Sequence, residues 1–233
     1  MNTSQRNPNL AQLLSAAAKL EPLLDQIAFV GGCVTGLLLT DAAAAPARTT
    51  LDVDVIVDAA SYVEFTALEQ QLRRLGFRES QVEGAPICRW LNGDLLLDFM
   101  PINPSILGFS NRWYGPALAH AQRSSIGIHE IRLITAPYFL ATKLEAFHGR
   151  GKNDFSSHDL EDIVTVIDGR PELVEEVRLA PADLRIYLSD EFGTLLSNRD
   201  FLEALPGHLL FDIASQQRAG LVLKRMRQLI LEG

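Results

Sequence analysis

The chain has 233 residues, 47% of them hydrophobic and 21% charged, with a formal net charge of −8. That length supports one well-buried core and a smaller second one, and the composition is that of an ordinary globular protein rather than a disordered one. The acidic balance argues against broad, non-specific DNA binding, although it leaves room for a local basic groove.

Residues 9–24 read as a helix. "IAFVGG" is a short apolar run closed by two glycines, a strand entering a tight turn, and "CVTGLLLTD" reads as a helix that starts straight after it. Pro46 ends that helix inside "DAAAAPARTT". "LDVDVIV" is a strand. "SYVEFTALEQQLRRLG" is a helix with Val63, Leu68, Leu72 and Leu75 as its apolar positions and Gly76 as its stop. "FRESQVEG", "PICRWL" and "DLLLDFMP" are strand candidates, and "NGD" between the last two signals a hairpin. "SIGIHEIRLI" reads as one further strand. Strand signals then stop. "APYFLATKLEAFHG" is a helix with Pro137 in its first turn, and "SHDLEDIVTVIDG" is another, with Ser156 and Asp159 in an N-terminal capping pattern. Residues 171–231 read as several helices. The layout is a mixed α/β region over 1–135 and a helical domain over 136–233.

Two cysteines, Cys33 and Cys88, make neither a disulfide framework nor a cysteine-rich zinc site, so a reducing compartment is expected. The polar opening "MNTSQRNPNLAQ" has no signal-peptide core, and "LLLTDAAAAPA" is broken by Thr40, Asp41 and Pro46. The expected location is the cytoplasm, with no membrane partner.

The chemistry concentrates in "TLDVDVIVD". Side chains alternate across a strand, so Asp52 and Asp54 share one face while Val53, Val55 and Val57 share the other. Two carboxylates one pleat apart repel, and a divalent cation removes the conflict. An edge strand facing water explains them equally well on this stretch alone. Asp58 has the same parity but lies two pleats beyond Asp54, beside "AAS", where a helix N-cap accounts for it. Gly31 and Gly32 end a strand and open a helix, which offers backbone N–H groups to a phosphate; an ordinary tight turn needs no more. Asp98 sits on a later strand between Leu97 and Phe99. Asp94 has the same facing, but the Asn92-Gly93 turn explains it.

A GG turn opening a helix, a strand D-x-D and a third strand aspartate resemble the nucleotidyltransferase (polymerase β-like) superfamily. Its usual serine at the second turn position is Gly32 here. The pattern is most similar to the AbiEii-type nucleotidyltransferase toxin family, whose lysine-bearing helix and later Asp-x-x-Asp match "ATKLEAFHGRGKNDF" and "SHDLEDIVTVIDG". The resemblance runs from Gly31 to Asp168. It implies an α+β fold with a nucleotidyltransferase-like mixed sheet flanked by helices, followed by a C-terminal helical region.

It also implies transfer of NMP from an NTP to an acceptor hydroxyl, releasing pyrophosphate. Asp52, Asp54 and Asp98 would ligate Mg²⁺, with Mn²⁺ as an alternative. Asp98 would take the hydroxyl proton, and Gly31 and Gly32 would bind the β and γ phosphates. Lys143, with Arg150, would offset charge on the leaving group, and Asp159 or Asp162 would position Lys143 or the acceptor. The implied acceptor is the 3′ end of tRNA, with a cognate antitoxin as partner. A small hydroxylated acceptor such as an aminoglycoside, or a non-catalytic nucleotide-binding module, remains an alternative.

Plainer readings stand beside these. Lys143 and Arg150 are seven apart and share a helix face unless Gly149 and Gly151 end the helix first. Arg150 and Lys152 then form a basic helix end. Asp159 and Asp162 share a face, and an acid in a first turn is stabilising in itself. His158 reads as a surface or capping residue. Trp113 and Tyr114 are expected to pack against the helical domain rather than stack on a base.

Overall fold

The computed structural model describes residues 7–151 and 154–230. The chain forms two compact units, Met1–Val34 with Arg48–Thr135, and Thr35–Ala47 with Ala136–Gly233.

The first unit is built on a seven-stranded mixed sheet. Its strands are β1 (Ile27–Val30), β2 (Asp52–Val57), β3 (Arg78–Glu79), β4 (Arg89–Asn92), β5 (Leu95–Pro101), β6 (Gln122–Ile126) and β7 (His129–Leu133), in the order β3-β4-β5-β2-β1-β7-β6. β2 runs parallel to β5 and β1 parallel to β7; the other pairs are antiparallel. The helices of this unit are α1 (Leu10–Lys19), α3 (Tyr62–Arg74), α4 (Pro104–Leu107) and α5 (Tyr114–Ala119). The fold is α+β, with helices flanking the mixed sheet, as the sequence implied.

The valine side of β2 is core. Val53, Val55 and Val57 are fully buried, and Phe65 of α3 stacks on Phe99 of β5 at 5.9 Å. The lead into β2 is held by Asn9, a fully buried amide at the start of α1. Its Oδ1 accepts from Thr50 N at 2.9 Å, and its Nδ2 donates to Arg48 O at 3.0 Å. Burying a polar side chain is costly unless it is bonded in this way.

The second unit is helical: α2 (Thr35–Leu38), α6 (Ala136–Ala146), α7 (His158–Gly169), α8 (Leu173–Arg178), α9 (Ala182–Ser197), α10 (Arg199–Ala204), α11 (Ile213–Gln217) and α12 (Ala219–Gln228). Every residue of α6 from Ala136 to Leu144 is buried, which marks it as the central helix. Residues 35–47 join this unit through their backbone, because Thr40 N and Asp41 N both donate to Gly169 O at 2.9 Å. No helix among the described residues is long and apolar enough to cross a membrane.

Several local expectations need correction. "SIGIHEIRLI" belongs to a hairpin, not to one strand: Ile126 pairs with His129 across Gly127-Ile128, and Gly127 takes a φ of 58°, which a tight turn requires there. The helix after the glycines is only a 3-10 turn, Gly32–Val34, followed by the four-residue α2. "FRESQVEG" keeps only Arg78–Glu79 as strand. Val63 of α3 is 79% exposed, and Phe65 takes its expected place beside Leu68 and Leu72. The N-cap of α3 is Ser61, which accepts from Glu64 N, so Asp58 is not the cap. Likewise Ser157, not Ser156, caps α7.

Gly31 has a φ of 72°, and a Cβ there would overlap the carboxylate of Asp54. Gly84 has a similar φ of 78° with open space around it. Both Gly→Ala changes carry about 1–2 kcal/mol of left-handed strain. Urea unfolding should show Gly31→Ala losing clearly more stability than Gly84→Ala. Equal losses would mean that the Asp54 side chain does not pack on the turn.

Candidate active site

In the first unit the register of three strands brings the site together. Asp54 of β2 lies directly across from Asp98 of β5, and Asp98 directly across from Arg89 of β4. Directly opposed residues project to the same face, so Arg89, Asp98 and Asp54 form a row, with Asp52 one pleat along β2. Val30 pairs with Asp54, so the Gly31 turn emerges beside that carboxylate. The four sequence-predicted residues Gly31, Asp52, Asp54 and Asp98 are therefore neighbours, with Gly32 next in the chain. Asp94 lies exposed in the β4–β5 turn, away from the row.

Arg89 is the residue that the motif reading did not include. Its guanidinium forks onto Asp98, with Nε to Oδ1 at 2.7 Å and Nη2 to Oδ2 at 2.8 Å, and Nη2 also reaches Asp52 Oδ2 at 2.5 Å. Bidentate arginine–carboxylate pairs are the strongest of the side-chain hydrogen bonds. The hydrogen bonds to Asp98 raise the Arg89 pKa further above its already high value, so the group is a permanent cation. Counting back from the Asn92-Gly93-Asp94 hairpin pairs Asn92 with Leu95 and hence Arg89 with Asp98, so the turn carried the signal. Next to it, Cys88 is buried, and its thiol pKa is pushed up to about 12 by burial and by the nearby Asp98 and Asp54 charges. That thiol is inert as a nucleophile at neutral pH.

The donor chemistry suits a hard divalent cation: three carboxylates on one face of adjacent strands. The arrangement differs from a closed metal site, because a guanidinium stands between Asp52 and Asp98. Among the described residues, no three potential ligands are gathered tightly enough to hold an ion.

The second unit holds the other predicted cluster. Lys143 of α6 is 5% exposed and points at α7, with Nζ 3.0 Å from Asp159 Oδ1 and 2.7 Å from Asp162 Oδ2. The three-residue spacing of the aspartates places both on the α7 face that meets α6. Burial opposes the ammonium charge, but Asp162 and Asp159 outweigh it and hold the Lys143 pKa above the ordinary lysine value. The Arg150 side chain lies outside the described residues, as do Lys152 and Asn153; the α6 segment closes in a π-helical turn, Phe147–Gly151. His158 is exposed, with Nδ1 2.9 Å from Glu161 Oε2, a surface pair. In the first unit, Trp113 is buried, and Tyr114 Oη meets Met100 Sδ of the same unit at 3.4 Å.

The mixed seven-stranded sheet flanked by helices is a fold shared with solved structures. One solved structure that this chain resembles is that of an antigenic nucleotidyltransferase-like protein from Paracoccidioides brasiliensis. The two share 20% identity over 91% of this chain and 97% of that one, with a TM-score of 0.50. A second is the solution structure of the antibiotic-resistance factor ANT(2'')-Ia, at 18% identity, 84% and 97% coverage and a TM-score of 0.44. The first of these likenesses speaks to the fold alone. No family model matches the sequence, and no curated protein matches it.

Removing one partner of a buried ion pair costs about 3–5 kcal/mol, because the remaining charge stays buried. Lys143→Met should therefore lose stability on that scale by urea unfolding. The sign against pH follows from the raised lysine pKa: the contribution is complete below the ordinary value of 10.5 and is lost only as pH rises through the higher folded value. The gap between wild type and Lys143→Met should stay constant from about pH 7 to 9. A gap that closes within that range would contradict a charged Lys143.

Proposed function

We propose that the protein is a divalent-metal-dependent nucleotidyltransferase that moves NMP from an NTP to an acceptor hydroxyl. The observation that supports this most is the row Asp54–Asp98 with Asp52 beside it, set next to a glycine turn, on a nucleotidyltransferase-like fold. In this reading the acceptor oxygen forms a bond to the α-phosphorus, the bond from that phosphorus to the β-bridging oxygen breaks, and pyrophosphate leaves with the electron pair. Asp52, Asp54 and Asp98 would hold Mg²⁺ or Mn²⁺. When bound, the ion supplies positive charge to the phosphate oxygens.

The chain's own groups do the rest. The Gly31 turn lets backbone approach the phosphates where a Cβ would already collide with Asp54. Asp98 takes the hydroxyl proton. The arginine fork occupies one lone pair on each Asp98 oxygen, so the hydroxyl must approach a remaining lone pair or displace the fork. Within the second unit Lys143 is an ammonium fixed by Asp159 and Asp162; a role for it, and for Gly32 and Arg150, toward the nucleotide rests on the sequence resemblance.

For the acceptor we favour the tRNA 3′ end, and with it a toxin held by an antitoxin in the cytoplasm. This choice rests on the sequence resemblance to AbiEii-type toxins. The second reading, a small hydroxylated acceptor such as an aminoglycoside, fits the same row of acids.

Incubating radiolabelled NTPs with Mg²⁺ or Mn²⁺ and total tRNA, aminoglycosides, or neither tests the proposal. Label should pass to tRNA, and Asp54→Asn should reduce transfer at least about a hundredfold, the scale on which loss of transition-state charge stabilisation acts. Label on the drug would favour the second acceptor. Equal transfer by wild type and Asp54→Asn would remove the metal role.

A further inference from the structure

We propose that Arg89 is a built-in competitor for the divalent cation, so that metal enters the acidic row only as the guanidinium withdraws. This rests on the metal reading above and adds a control to it. Three carboxylates share the face, and Arg89 already satisfies two of them, Asp98 through both oxygens and Asp52 through Oδ2. A guanidinium cannot be deprotonated in proteins, so its charge leaves only if the side chain moves.

The backbone beneath it stays. Arg89 N donates to Pro86 O at 3.0 Å, Ser80 N donates to Arg89 O at 2.9 Å, and the neighbouring Trp90 is 1% exposed under the Arg73 guanidinium. The moving part is therefore one side chain, 21% exposed and bordering solvent. Occupation of the acids by Arg89 divides the apparent metal affinity by the fraction of molecules in which the fork is open. An NTP brings both a metal and phosphate oxygens that bind a guanidinium bidentately. Such a substrate offers Arg89 an alternative partner, which couples metal entry to nucleotide arrival.

The test is Mn²⁺ binding without nucleotide, read as free Mn²⁺ by EPR, for wild type, Arg89→Gln and Arg89→Lys. Arg89→Gln should bind Mn²⁺ about tenfold or more tightly than wild type, as removal of a competing state predicts. Arg89→Lys, which keeps the charge and loses the fork, should fall between them, and it serves alone if Arg89→Gln does not fold. A fork that only props Asp98 in place would instead weaken Mn²⁺ binding when removed, and unchanged or weaker binding overturns the proposal. Unchanged binding leaves the metal reading intact. Absence of Mn²⁺ uptake by every form overturns both.

A separate observation lies wholly in the helical unit. We infer that α8, α9 and α12 frame a binding site for a phosphate anion. A cavity of ≈ 570 Å³ there is lined by Val174, Val177, Arg178, Arg185, Lys224 and Arg227. Arg178 is paired with Glu175 at 3.4 Å, whereas Arg185, Lys224 and Arg227 make no ion pair among the described residues. Arg185 Nε is buried with no hydrogen-bond partner. A buried charged donor left unmet is costly, and an anion in the cavity that Arg185 lines offsets its charge without reaching the sealed Nε. So concentrated a cationic surface on a chain of net charge −8 fits phosphate from RNA or from a free nucleotide.

Binding of a labelled single-stranded RNA and of ATP, both in EDTA so that no metal site contributes, separates the two sources. Lys224→Glu with Arg227→Glu changes exposed residues and should weaken whichever ligand binds by about tenfold or more, with a shallower salt dependence for RNA. Unchanged binding of both ligands, or binding of neither by wild type, overturns the site.

Discussion

The candidate site depends on one electrostatic constraint: carboxylates set side by side on a sheet repel, and a nearby cation relieves them. β2 and β5 run parallel in a register that puts Asp54 against Asp98, and the alternation of β2 adds Asp52 to the same face. The hydrophobic half of β2 fixes this outcome. Val53, Val55 and Val57 are fully buried, and a slip of one residue would turn the valines to solvent and the aspartates into the core. The acids are thus held together by packing on the opposite face. Arg89 is a counter-charge for two of them, Asp98 and Asp52.

The second unit meets the same constraint with the same device. Asp159 and Asp162 converge on Lys143, and Asp168, at the end of the same helix, receives Arg218 Nε at 2.8 and 2.9 Å. The difference is solvent. Lys143 and its partners are nearly sealed, with side chains 7%, 6% and 1% exposed, so that cation is locked in place. The side chains of Arg89 and Asp52 are 21% and 32% exposed. An ion pair at that depth gains less and exchanges more readily than a sealed one. The two cations therefore suit different tasks, one fixing a helix pair and the other able to yield.

Much of this was legible in the sequence where a short-range rule applied. The parity of Asp52, Asp54 and Asp98 follows from strand alternation, and the meeting of Asp159 and Asp162 from helical spacing. The α+β class and the helical second half followed from the order of periodic segments. The failures were of two kinds. Boundaries decided by single residues were missed: the Gly127 turn splits what looked like one strand, and Ser61 and Ser157 cap where Asp58 and Ser156 were expected. Partners decided by cross-strand register were missed too. Arg89 belongs to no motif, and it becomes visible only when the Asn92-Gly93 hairpin is counted back pair by pair to Asp98.

That origin also determines what kind of control Arg89 can exert. A histidine in its place would couple the acidic row to pH, because protonation would switch its charge within the physiological range. An arginine stays charged, so acid and base near neutrality leave the row's counter-ion unchanged. What can change is position, and the backbone at Arg89 is pinned on both sides by hydrogen bonds to Pro86 and Ser80. The adjustable coordinate is then a set of side-chain torsions, which at a partly exposed site interconvert far faster than domain motions. On the proposed metal reading, competition of this kind would set an equilibrium threshold for metal entry rather than a slow step, and anything that rewards the displaced guanidinium would lower that threshold.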